Sequence, residues 1–193
     1  MRTTPVVPLV AAAAAAIGLL SCTPGPARRT PALAQPATAP TPLILQEGEG
    51  ERRVRRNAGK GPFILKVDRR NGGSPELVMG YEDIAPGAEI QPHTHLVADE
   101  ILFIHRGSGV ARLGDREGAV SAGATIYIPR NTMVSLRNTG SEPLGVAFVF
   151  SKPGFEELMR DNSVPEGQPV TPVSAEERDA LRKKHSWHTV FPH

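Results

Sequence analysis

The chain has 193 residues, with 22 Lys and Arg against 20 Asp and Glu and a pI near 8.9. That length suits one domain with extensions, and a net charge of +2 without a long basic run, with aromatics at 5%, gives no footprint for a nucleic-acid partner. Cys22 is the single cysteine, which excludes an intrachain disulfide and CxxC chemistry.

Residues 1–22 read as an export signal. Arg2 supplies a positive start, and residues 6–20 form an uncharged, Ala-rich stretch. With Pro8 inside it, that stretch is too short and too weakly apolar for a membrane span. It closes on Leu19-Leu20-Ser21-Cys22, which resembles the lipobox of bacterial lipoprotein signals. The resemblance implies cleavage before Cys22 and acylation of its thiol. With Thr23 next, it implies an anchor in the outer membrane facing the periplasm. Several acyl chains hold a protein on a bilayer where one chain binds only marginally. An alternative cut after Ala32-Leu33-Ala34 lies far beyond the apolar stretch. Residues 23–58 then form a linker, in which Pro24, Pro26, Pro31, Pro36, Pro40 and Pro42 alternate with Ala and Thr. Such a composition favours extended polyproline conformations over a packed core. The basic cluster at 51–56 reads as the solvated end of this linker.

The folded part is expected from about Gly59. Residues 63–67 form a strand, Asn71-Gly72-Gly73 a hairpin turn, and residues 77–81 the returning strand. Pro86-Gly87 turns the chain into a strand through His93 and His95. Further strands follow at 101–104, 109–113, 118–120, 125–128, 133–137 and 145–150, separated by Gly, Pro, Asn and Asp turns. Many short strands with such punctuation indicate an all-β sandwich or barrel. After residue 150 the period changes to helical. Phe155, Leu158 and Met159 make the apolar face of one short helix, and Ser174 with Glu177 opens a second through about Lys184. Both are expected to pack on the outside of the barrel. The tail carries His185, His188 and His193 and is expected to pack loosely, with Trp187 anchoring it to the barrel.

The chemistry sits in residues 87–107. His93 and His95 are two apart on a strand, so they share a face, and the following turn can return Glu100 beside them. By the same alternation Asp99 and His105 point away. Two imidazoles and a carboxylate suit iron, manganese, zinc, nickel or copper. The spacing glycine, five residues, His-x-His, four residues, Glu, six residues, glycine is complete from Gly87 to Gly107. It is similar to the first motif of the cupin superfamily. The frame of that family's second motif runs from Gly123 through Pro129 to Asn138, but Asn131 stands where the family has glycine and Val134 where it has histidine. Asn tolerates the left-handed region, whereas Val cannot ligate a metal.

The resemblance implies a double-stranded β-helix (jelly roll) with two short C-terminal helices, in a layout similar to small quercetinase-like cupins. The implied partition is a signal at 1–22, a linker at 23–58, a cupin domain at 59–152 and a helical extension at 153–193. It further implies one divalent transition metal on His93, His95 and Glu100, with Tyr127 and Val134 facing a pocket. This reduced set is the ligand type of non-haem iron oxygenases. The expected function is a metal-binding envelope protein holding a small-molecule ligand, dioxygenase-like if it is an enzyme, with no catalytic acid or base assigned. The other classes open are a metal-independent, sugar-like binding module and a structural or sensory lipoprotein acting through protein contacts, such as the homodimer many cupins form.

Overall fold

The structure is a computed structural model that describes residues 39–57 and 60–192. The export signal, Cys22, residues 23–38 and 58 of the linker, and His193 lie outside the described residues. Among those described, the chain runs through β1 (Glu51–Arg55), β2 (Lys60–Val67), β3 (Val78–Ile84), β4 (Glu89–His95) and β5 (Glu100–Arg106). It continues through β6 (Ser108–Leu113), β7 (Arg116–Ser121), β8 (Thr125–Ile128), β9 (Met133–Asn138) and β10 (Leu144–Phe150). Then come α1 (Phe155–Asp161), β11 (Ser163–Pro165), α2 (Ala175–Lys184) and β12 (Thr189–Val190). One sheet has the order β11-β1-β2-β3-β10-β5-β8 and the other β12-β4-β9-β6-β7, with antiparallel ladders throughout. The two sheets enclose one core, as a jelly roll does.

Strand alternation decides what enters that core. On β5, Glu100, Leu102 and Ile104 point inward while Ile101, Phe103 and His105 face out. On β8, Ile126 and Ile128 point inward and Tyr127 faces out. They meet Phe63, Leu65, Leu136, Val146, Phe148 and Phe150 from the other strands. Each such side chain, fully buried, contributes about 1.5–3 kcal/mol, so the inward apolar residues of these strands hold the sheets together. The turn after β8 uses Asn131 at φ 66°, the one non-glycine with positive φ among the described residues. Its N–H donates to the His95 carbonyl at 2.7 Å, so the altered second motif still braces the strand of His93 and His95. Asn138, at the end of that motif, is buried and closes the next turn. Its amide donates to the Ile84 and Glu142 carbonyls and its oxygen accepts from Gly140.

Four expectations need correction. The cluster at 51–56 is not a solvated linker end, because residues 51–55 are β1. Its charges are absorbed locally: Arg52 pairs with Glu166 at 2.6 Å, Arg53 donates to Ser163 at 2.7 Å, and Arg55 pairs with Glu82. The first helix does not pack outside the barrel. Its apolar face closes one end of the core, with Phe155 stacked on the His93 ring and Met159 buried in the core cluster. The tail is not loose: His185, His188 and Thr189 are buried, and β12 pairs with β4 through Thr189 opposite His95. Trp187 does not bury against the barrel. It stays 59% exposed, with its ring edge-on to His188. The second helix is capped as expected, with Ser174 accepting from the Glu177 N–H at 3.1 Å, but the Glu177 carboxylate goes to Arg56 and not back to the cap.

Candidate metal centre

The two sheets bring the site together from opposite sides. β4 presents His93 and His95 on its inner face, and β5 presents Glu100 from the other sheet. All three side chains are buried, and one ligand atom from each lies within 4.8 Å of the others. The His93 and His95 Nε2 atoms are 3.1 Å apart, and Glu100 Oε2 is 3.3 Å from His95 Nε2. Aromatic rings wall the cluster: Phe155 stacks on His93 at a centroid distance of 5.7 Å, while Phe150 and Phe155 meet His95 edge-on at 4.9 and 4.7 Å.

Hydrogen bonding settles where the protons lie. His93 Nδ1 is 2.8 Å from the Gln91 carbonyl, which can only accept. Nδ1 therefore carries a proton, and Nε2 is the ring nitrogen turned toward His95. Burial pushes His95 down to about 4, so its ring is neutral at pH 7 and the contact with Glu100 is not an ion pair. Burial pushes Glu100 up to about 7, with His93 opposing the shift and Glu82 adding to it. Glu100 Oε2 is buried and receives no hydrogen bond. Acceptor atoms held this close repel unless a cation or a proton lies among them, and buried polar atoms are otherwise almost always satisfied. The donor set of two imidazoles and one carboxylate fits a divalent transition metal.

A pocket of about 530 Å³ opens beside His93 and Glu100, lined by Ile90, Leu102, Leu136 and Met159, with Arg178 and Arg182 of α2 at its side. Val134 also lines it, buried and directly across the β4–β9 ladder from His93. A histidine at that position would face the same cavity. Val134→His is expected to tighten zinc binding by about tenfold or more, a gain of at least about 1.4 kcal/mol, as read by competition with a chromophoric chelator. Unchanged affinity would show that the position does not reach the metal.

Of the residues singled out from sequence, His93, His95, Glu100 and Val134 come together. Tyr127 does not. It stands on the outer face of β8, 58% exposed, because its neighbours Ile126 and Ile128 take the inward positions. His105 is on the surface, edge-on to Tyr81, and Asp99 turns outward to Arg130 at 3.0 Å, both as alternation predicts. Phe155, Phe191 and Thr189 are site neighbours that strand and helix periodicity did not identify. Their positions depend on how the C-terminal segment folds back.

Residues 80–150 match the family model described as the cupin domain. Auxin-binding protein 1 of Arabidopsis thaliana is 31% identical over 90 residues, covering 42% of this chain and 45% of that protein. The chain thus spans about half the length of that relative. The tetracenomycin polyketide synthase protein TcmJ of Streptomyces glaucescens is 25% identical over 121 residues, 56% of this chain and 81% of that one. The crystal structure of a predicted oxalate decarboxylase from Thermotoga maritima superposes with a TM-score of 0.51 at 18% identity, covering 57% of this chain and all of that one. The last likeness is one of fold.

Proposed function

We propose, on the premise that the chain belongs to the cupin superfamily, that it binds one divalent transition metal through His93, His95 and Glu100 and holds a small organic molecule beside it. One observation carries this reading: two buried imidazole nitrogens 3.1 Å apart converge with a buried carboxylate oxygen that no hydrogen bond satisfies. When bound, such a metal supplies Lewis-acid polarisation and open coordination positions for a ligand. The chain's own residues do the rest. Phe150 and Phe155 shield the imidazoles from water, and the apolar lining receives the body of the ligand. The reaction class this ligand set best supports is dioxygenase-like oxidation of a small organic substrate. That one relative is named for auxin binding and another for polyketide synthesis supports a small organic ligand.

Elemental analysis of the whole protein, produced with iron, manganese, nickel, copper and zinc supplied, is expected to find about one metal per chain, as one cluster of two imidazoles and a carboxylate can hold. Protein without stoichiometric metal would refute the reading.

We place the same protein on the envelope, anchored by lipid at Cys22, on the strength of Leu19-Leu20-Ser21-Cys22. Cys22→Ser is expected to move it from the membrane fraction to the soluble fraction. A variant that still sediments with membranes would rule out the anchor.

A further inference from the structure

The C-terminal tail connects the metal centre to the surface through a continuous line of hydrogen bonds. His95 Nδ1 lies 3.2 Å from Thr189 Oγ1, and Thr189 Oγ1 lies 2.8 Å from His188 Nδ1. His188 Nε2 is 3.1 Å from His185 Nδ1, and His185 Nε2 is 2.6 Å from Asp161 Oδ2. Lys184 donates to the same Asp161 oxygen at 2.7 Å. His185, His188 and Thr189 are all buried, so each polar atom in the line needs its partner within the protein.

With neutral rings, the carboxylate at the outer end fixes the direction of every bond. An ionised carboxylate only accepts, so His185 donates from Nε2 and its Nδ1 accepts. His188 then donates from Nε2, leaving its Nδ1 to accept the Thr189 hydroxyl proton. The Thr189 oxygen is thereby free to accept from His95 Nδ1–H. The last step leaves His95 Nε2, the atom that faces His93 and Glu100, with a lone pair. Run in the opposite direction, with His185 donating to His188, the same line would put the proton on His95 Nε2 and block it as a ligand. The ionised state of Asp161 is supported locally. Burial works against it, but the bonds from Lys184 and His185 outweigh that and hold the carboxyl below its ordinary range. Burial, reinforced by His185 and His95, pushes His188 down to about 4, which keeps its ring neutral.

We propose that Thr189, His188, His185 and Asp161 are positioning residues of the metal centre: their hydrogen-bonded line holds His95 in the tautomer whose Nε2 can ligate a metal. This rests on the metal-binding reading for its purpose, though not for its geometry. The arrangement extends a general device, in which the far nitrogen of a ligating histidine donates toward a carboxylate or carbonyl. Here the carboxylate lies four links away, on the last residue of α1.

Two measurements on the full-length protein test it. In histidine-labelled, metal-free wild type, long-range ¹H–¹⁵N correlation spectra are expected to show His95 protonated at Nδ1 and unprotonated at Nε2. His95 protonated at Nε2 would overturn the proposal, and this test needs no variant to fold. In cobalt(II) titrations, Thr189→Val, which keeps the shape but removes the hydroxyl, is expected to weaken binding about 10–100-fold, the usual effect of losing an outer partner of a ligand. Thr189→Ser, which restores the hydroxyl, is expected to bind like wild type. If Thr189→Val binds as tightly as wild type, or Thr189→Ser is as weak as Thr189→Val, the hydroxyl has no positioning role and the proposal fails. Wild type that shows the Nδ1–H tautomer but takes up no cobalt would overturn the metal reading and still uphold the line.

Discussion

Replacing Arg160 with methionine is expected to destabilise the protein by about 3–5 kcal/mol, the usual effect of removing one partner of a buried ion pair. Arg160, on the last turn of α1, is buried and bonds to Asp68, to Glu51 at 2.6 and 2.9 Å, and to Glu157 at 3.0 Å. Burial alone would lower its pKa, but the bonds from Glu51 and Asp68 overcome this and raise it. Asp68 has no solvent exposure, so without Arg160 its charge would be stranded. The other Asp68 oxygen also accepts the backbone N–H groups of Arg70 and Asn71, so the residue shapes the β2–β3 turn as well. Through these contacts Arg160 ties α1 to β1 and to that turn, while the Phe155 end of the same helix lies over His93. Denaturant unfolding should therefore show a large loss for Arg160→Met and a partial recovery when Asp68→Asn is added, because the amide keeps the turn acceptor and removes the stranded charge. A loss below about 1 kcal/mol, the scale of an exposed pair, would mean that the network does not hold the helix.

This network also shows where sequence reading stops. Most of strands β2 to β10 were legible because they bury alternate residues, or as in β10 form a continuous apolar run, and end near Gly, Pro, Asn or Asp, all of which are local properties. His93, His95 and Glu100 were legible for the same reason, since one strand, one turn and the next strand determine their meeting. β1 was not, because Glu51 and Arg52 to Arg55 carry no apolar alternation. They pair with β2 on one side, but the other edge and much of their charge are satisfied by partners more than a hundred residues away, such as Glu166 and Ser163. The two-residue β12 is too short to show a period, and the burial of His185 and His188 depends on Asp161 and Thr189. Tyr127 is a different case. The alternation that correctly turned His105 outward does the same along β8, so its outward position could have been read from Ile126 and Ile128.

Glu100→Gln is expected to have opposite effects on metal affinity and on the stability of the metal-free fold. Losing the carboxylate should weaken zinc or cobalt binding by more than about 100-fold, since loss of an outer partner alone typically costs 10–100-fold. In the metal-free protein the change should stabilise. Glu100 is raised from the ordinary 4.5 to about 7, mainly by burial, so the fold binds its proton more tightly than the unfolded chain does. For a group shifted this way, the favourable contribution is complete below pH 4.5 and is lost as pH rises through about 7. Metal-free wild type should therefore lose stability across that window, while Glu100→Gln does not, and the variant should be the more stable of the two on the alkaline side. Its amide can also donate toward His95 Nε2, which the ionised carboxylate cannot. Adding metal at about 100 times its dissociation constant should then stabilise wild type by about 2.7 kcal/mol and leave the variant nearly unchanged. Thermal melts of both proteins near pH 8, with and without metal, should show their relative gap shift in favour of wild type when metal is added. If metal shifts both proteins equally, Glu100 is not a ligand. If the metal-free variant is instead the less stable, the buried carboxylate is serving the fold and not waiting for a cation.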